Sequence, residues 1–194
     1  MGEGSPLVTG VHAPDPDCAQ CTRLRLALVA ELITSDDYES ISEERVAAAA
    51  GTSLSGHYED LDSCLAAAYD EVDAVLGEAF ETAMDGTGPW TERLADSVVR
   101  ISARVERMPG AFHVYEAARS GPEWLRVRQA RNRGRYVQLL ADHAPDVPEV
   151  HLEFLIGALY RAAQEQTAQD PQLDVPLMRR RARAIIAALE PAAL

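Results

Sequence analysis

Residues 42–58 read Ser-Glu-Glu-Arg-Val-Ala-Ala-Ala-Ala-Gly-Thr-Ser-Leu-Ser-Gly-His-Tyr, and the fold turns on how this stretch is parsed. Ser42 is a good helix N-cap, because its hydroxyl can accept a hydrogen bond from an otherwise orphaned backbone N–H. Val46, Ala47 and Ala50 then supply an apolar face, and Gly51 offers the left-handed residue that stops a helix. Ser53 can cap another short helix after a one-residue turn at Thr52. The parse predicts two short helices joined by Ala50-Gly51-Thr52-Ser53, a helix-turn-helix.

Working outward, apolar positions keep helical spacing nearly to the C-terminus, and no run of alternating β-branched residues appears. Upstream, Leu24, Leu28 and Leu32 mark one face of a first helix while Leu26, Val29 and Ile33 mark another, which predicts packing on two sides. Downstream, Leu61, Leu65, Ala68, Tyr69, Val72, Val75, Leu76, Ala79 and Phe80 line a long helix. Asp85-Gly-Thr-Gly-Pro89 interrupts helix chemistry at every position and reads as a joint. Further helices are expected through Leu94–Met108, between Pro109-Gly110 and Ser120-Gly-Pro122, over 123–143, over 148–169 and over 176–189. The expectation is an all-α chain: a tail over 1–17, a three-helix helix-turn-helix domain over 18–69, and a helical ligand-binding and dimerisation domain over 70–194.

The composition agrees with a folded domain: 194 residues, 47% hydrophobic, 25% charged, formal net charge -13. All eighteen basic residues are Arg. No apolar run approaches the ~20 residues of a bilayer-spanning helix, and the first 17 residues lack the charge and apolar core of a secretory signal. A cytoplasmic protein without membrane contact is expected. Cys18-Ala-Gln-Cys21 has the C-x-x-C spacing of redox and zinc sites, but His12, His57 and Cys64 supply no second paired spacing and no strand precedes it. The expectation is two plain thiols at the start of the first helix, with no metal and no cofactor.

The segment from Arg23 to Tyr69 resembles the N-terminal domain of the TetR family of bacterial transcriptional regulators. The match is carried by Leu24 to Ile33, Tyr38 in the turn, Ser42 to Gly51 with its Ala-Gly end, Thr52-Ser53, Tyr58 and Leu61. The resemblance implies a homodimeric switch whose recognition helices enter successive major grooves of duplex DNA, under control of a small-molecule effector. By position it implies that Ser42 and Ser53 cap helices facing phosphates, that Arg45 reaches the backbone, and that Thr52, Leu54, Ser55, Gly56, His57 and Tyr58 lie toward the DNA.

Charge pulls the other way. Residues 1–85 hold three arginines against eighteen carboxylates, whereas the remainder is slightly basic. Affinity for DNA rests largely on neutralising phosphates, so the DNA-facing part should be the basic one. Glu59-Asp60 follow the tyrosine, and Cys64 stands where the family usually has a phosphate-contacting lysine. Carboxylates near phosphates each cost up to roughly 1 kcal/mol after screening. The alternative is therefore a relative that binds a ligand or a protein partner and has lost DNA binding.

In the C-terminal part, Met108, Phe112, Tyr115, Trp124, Arg128 and Phe154 are candidates for an effector pocket, each also explicable as core. Arg126, Arg128, Arg131, Arg133 and Arg135 read either as partners for the acidic segment, as a solvated face, or as a site for an anion. The last two helices carry leucine and small-residue faces suited to a two-fold four-helix interface. No nucleophile elbow, phosphate loop or H-E-x-x-H occurs, so an enzyme is not expected.

Overall fold

Helical spacing in the sequence becomes eight helices in the computed structural model, which describes residues 18–35, 37–169 and 174–189, with no strand among them. They are α1 (Ala19–Thr34), α2 (Glu43–Ala50), α3 (Leu61–Met84), α4 (Trp90–Val105), α5 (Ala111–Ser120), α6 (Glu123–His143), α7 (Glu149–Gln169) and α8 (Val175–Leu189). None is long and apolar enough to cross a membrane. The expected tail over 1–17 lies outside the described residues.

The N-terminal head forms as its caps dictate. Ser42 Oγ accepts from the Arg45 N–H at 3.4 Å, and Gly51 closes α2 at φ 65°. Leu24, Leu28 and Leu32 of α1 are buried against Val46, Ala50, Leu65 and Tyr69. The second face expected for α1 is packed only in part: Val29 is half-buried against the head core, Ile33 is exposed apart from its contact with the start of α5, and Leu26 is exposed.

The larger correction concerns the second helix of the motif. Residues 53–58 make one turn, closed by hydrogen bonds from the His57 and Tyr58 N–H groups to Leu54 C=O, and then the chain enters α3 through Asp60. Gly56 sits at φ 93°, outside the right-handed helical region. Ser53 Oγ pairs with Ser55 Oγ at 2.7 Å instead of capping a helix. Six residues cannot recover the cost of a helical nucleus when one is a left-handed glycine and the next cap, Asp60, is already engaged by the Ser63 N–H at 2.7 Å.

Helix α3 runs through both hydrophobic clusters. Leu65, Tyr69, Val72 and Leu76 join the head core, which also takes in Val114, Ala118 and Leu125 from α5 and α6. Phe80 and Met84 join a second core built from α4, α6, α7 and α8. The break at 85–89 is the turn of an antiparallel hairpin, with α3 and α4 packed together. Arg93 fastens it by donating to the C=O of Met84 at 2.5 Å and of Gly86 at 3.3 Å.

One contact joins the head to the rest at very close range. Gly110, at φ 86°, N-caps α5 against α1, and a Cβ there would fall 2.4 Å from Val29 Cγ1 and 3.1 Å from Ile33 Cδ1. Only glycine satisfies both the backbone angle and the space.

Candidate functional site

Helices α3 to α7 enclose a cavity of about 530 Å³. Its apolar wall includes Leu76, Phe80, Val98, Ile101, Phe112 and Leu159. Against that wall stands one buried carboxylate, Asp73, which is 5% exposed. It accepts from Tyr115 Oη at 2.6 Å, Tyr136 Oη at 3.0 Å and Asn132 Nδ2 at 2.9 Å. Burial first, and then the Asp73 charge, pushes the Tyr115 and Tyr136 phenols far above their ordinary values and Tyr69 up to about 12. All three are therefore neutral hydroxyls at physiological pH, able to donate.

Arginines complete the lining. Arg119 pairs with Glu116 and Arg161 with Glu165, whereas Arg126 and Arg133 have no ion-pair partner among the described residues. A largely apolar space with a hydrogen-bonding cluster against it and guanidinium groups in its lining suits an amphipathic molecule with an anionic end.

The head has its own geometry. Arg25 is buried and donates to Glu71 Oε2 at 2.8 Å, Tyr58 Oη at 3.0 Å and Thr22 Oγ1 at 3.3 Å. Arg45 pairs with Glu31. Of the head's three arginines, Arg23 is exposed and has no ion-pair partner among the described residues. Tyr38 donates to Asp62 Oδ1 at 2.6 Å, drawing that carboxylate in, while Glu43, Glu44, Glu59 and Asp60 stay exposed.

No protein-family model and no curated protein matches the chain. Solved structures do. The fatty acid degradation regulator FadR from Bacillus halodurans superposes with a TM-score of 0.73 at 13% identity, covering 92% of this chain and 99% of that one. A TetR-like transcriptional regulator from Rhodococcus sp. RHA1 gives 0.73 at 18% identity, covering 92% and 100%. A TetR family transcription regulator from Marinobacter aquaeolei VT8 gives 0.65 at 22% identity, covering 86% and 94%. The chain has the TetR fold.

Within the TetR fold, the residues singled out from sequence separate sharply. Leu54 and Tyr58, expected to lie toward DNA, are core residues at 4% and 3% exposure, and Tyr58 is held by Arg25 and by donating to Cys21 C=O at 3.4 Å. His57 turns inward to the thiols of Cys18 and Cys21. Ser53, Ser55, Gly56 and Arg45 remain exposed, with Ser42 and Thr52 half-buried. Of the pocket candidates, Phe112 and Tyr115 line the cavity. Met108 packs on the head core, Arg128 pairs with Asp70 at 2.8 Å, and Trp124 and Phe154 stand 48% and 67% exposed, so these four do not line it.

Sequence reasoning missed Tyr69, Asp73, Asn132 and Tyr136. One signal was present: Asp73 lies one turn after Tyr69 and three residues before Leu76, a carboxylate on the apolar face of α3. A charge in that position calls for buried donors.

Proposed function

We propose that this chain is a dimeric transcriptional regulator of the TetR kind, controlled by an amphipathic effector that occupies the cavity. The observation that carries the reading is the identity of the cavity wall: α3 and α5, which supply Tyr69, Asp73, Phe112 and Tyr115, are the helices packed against the head. An effector that binds one arrangement of α5 better than another biases the Gly110 contact with α1, and so the head. The Bacillus halodurans neighbour is a fatty acid degradation regulator. A long acyl chain fits the apolar space, with a carboxylate or thioester end held by Arg126 and Arg133, which have no ion-pair partner among the described residues, and kept away from Asp73.

Dimerisation is assigned to the outer faces of α7 and α8. Val150 and Phe154 on α7 and Ala184, Ala187 and Ala188 on α8 are exposed, which leaves a narrow apolar surface along the helix pair. The test of the whole reading is calorimetric titration with free fatty acids of increasing chain length and their coenzyme A thioesters, alongside random-pool DNA selection at two salt concentrations. Saturable acyl binding, lost in Tyr115→Ala, with effector-released DNA capture supports it.

The head favours a second reading, in which the chain binds its ligand as a dimer but no longer holds duplex DNA. Two of its three arginines are engaged in ion pairs, a single turn stands in place of the recognition helix, and the carboxylates of Glu43, Glu44, Glu59 and Asp60 stay exposed. Ligand binding and dimerisation without sequence selection at low salt would establish that reading.

A further inference from the structure

A cluster of ligating side chains in the head is used by neither the cavity nor the dimer face. Cys18 N-caps α1 and Cys21 follows in its first turn, while His57 comes from the turn that stands where the recognition helix was expected. His57 Nδ1 lies 3.8 Å from Cys18 Sγ and 3.8 Å from Cys21 Sγ, and the three ligating atoms all lie within 4.8 Å of one another. Tetrahedral zinc, with Zn–S near 2.3 Å and Zn–N near 2.05 Å, sets S···N separations of about 3.6 Å and an S···S separation of about 3.8 Å. The observed spacing needs contraction by a few tenths of an ångström on the nitrogen side and by at most about 1 Å between sulfurs to meet this geometry.

We propose that Cys18, Cys21 and His57 bind one zinc ion, with the fourth position taken by water. Two thiols and an imidazole select a soft or borderline cation over magnesium or calcium, which take oxygen donors. Burial and the neighbouring Cys18 push the Cys21 thiol up, so the cation itself has to draw off its proton, while Cys18 is better placed to ionise. The N-terminus of α1 brings its partial positive charge to Cys18, the Cys21 N–H donates to Cys18 Sγ at 3.4 Å, and Arg25 lies one turn farther along the same helix. As the two Zn–S bonds form, the two thiol protons leave to solvent.

The ion would clamp the turn around His57 onto the start of α1, closing a loop of 36 residues from Cys21. While clamped, His57 cannot be presented outward. The site stands whether or not the head binds DNA and whatever fills the cavity.

The test uses the full chain, reduced and stripped of metal, titrated first with cobalt(II) and then with zinc(II). One equivalent of cobalt is expected to bind with a thiolate-to-cobalt charge-transfer band and to be displaced by one equivalent of zinc. His57→Ala and Cys18→Ser each weaken binding at least about tenfold with helical circular dichroism unchanged, while Cys64→Ala binds as the wild type does. In the wild-type chain, zinc shifts the ring nitrogen resonances of His57, a readout that needs no variant to fold. Absence of the thiolate band, undiminished binding by His57→Ala, loss of binding in a folded Cys64→Ala, or unmoved His57 resonances would each overturn the proposal.

Discussion

Replacing Asp73 by Ala strands the hydroxyl of Tyr115, and leaves Tyr136 Oη only the backbone C=O of residue 73 at 3.2 Å and Asn132 Nδ2 only Tyr69 Oη at 3.4 Å. A buried donor left without a partner costs about 1–3 kcal/mol, a loss that falls in full on Tyr115 and in part on the other two. Two effects offset part of it. The buried carboxylate no longer has to be desolvated, and the adjoining cavity of about 530 Å³ lets water reach some of the stranded groups. With one donor stranded and two weakened against one carboxylate relieved, a net destabilisation of about 1–2 kcal/mol is expected, or about 2–8 °C in Tm for a chain of this size. Asp73→Asn keeps the shape and one acceptor oxygen, and should cost about half as much. Urea unfolding of wild type, Asp73→Ala, Tyr115→Phe and the double variant gives the coupling directly, expected at 0.5 kcal/mol or more on the scale of contacting pairs, about 0.5–3 kcal/mol. If Asp73→Ala were as stable as wild type and the two substitutions additive, the account of this cluster would be wrong.

Gly110→Ala should destabilise by about 2–3 kcal/mol, since an L-residue at positive φ costs about 1–2 kcal/mol before its Cβ meets Val29; adding Val29→Ala should restore only the steric share, measured by denaturant midpoints. Raising the pH should unfold the protein from the alkaline side. Tyr58 and Tyr69 titrate near 12 when folded and near 10 when unfolded, so the stability of their protonated forms is complete below pH 10 and declines as pH climbs toward 12, by up to about 1.4 kcal/mol per unit for each tyrosine. Tyrosinate absorbance and circular dichroism followed together should change in one transition; independent titration without unfolding contradicts this. Phe154→Glu should convert the proposed dimer to a monomer in sedimentation equilibrium while leaving helicity intact, whereas an unchanged mass would remove α7 from the proposed interface.

Most of the fold was legible because its signals are local. Ser42 and Gly51 bound α2 as their chemistry dictates, Pro109-Gly110 and Ser120-Gly-Pro122 bracket α5, and the apolar spacing of Leu24, Leu28 and Leu32 in α1 and of Leu94, Val98 and Val105 in α4 identifies their buried faces. The failures were of two kinds. Residues 53–58 carry a cap and a plausible face, yet they are too few, and Gly56 too free, to outweigh a short closed turn. The site was harder because its members are far apart in the chain: Asp73 meets Asn132 and Tyr136 across 59 and 63 positions, and His57 reaches Cys18 across 39. Spacing rules see only neighbours along one helix, so Cys18-Ala-Gln-Cys21 looked incomplete and Trp124 looked like a pocket residue. Charge, by contrast, was readable: the acidic excess of the head was plain in the sequence, and the structure adds that two of its few cations are already engaged.

The junction at Gly110 has a handedness of its own. Its φ of 86° is as comfortable for a D-amino acid as for glycine, and a D-alanine methyl would leave the α-carbon on the side opposite the one that meets Val29. Installed by chemical ligation, the two mirror-image alanines would part the backbone requirement from the contact itself. The point where head and body touch thereby becomes a chiral probe of how firmly one is fixed to the other.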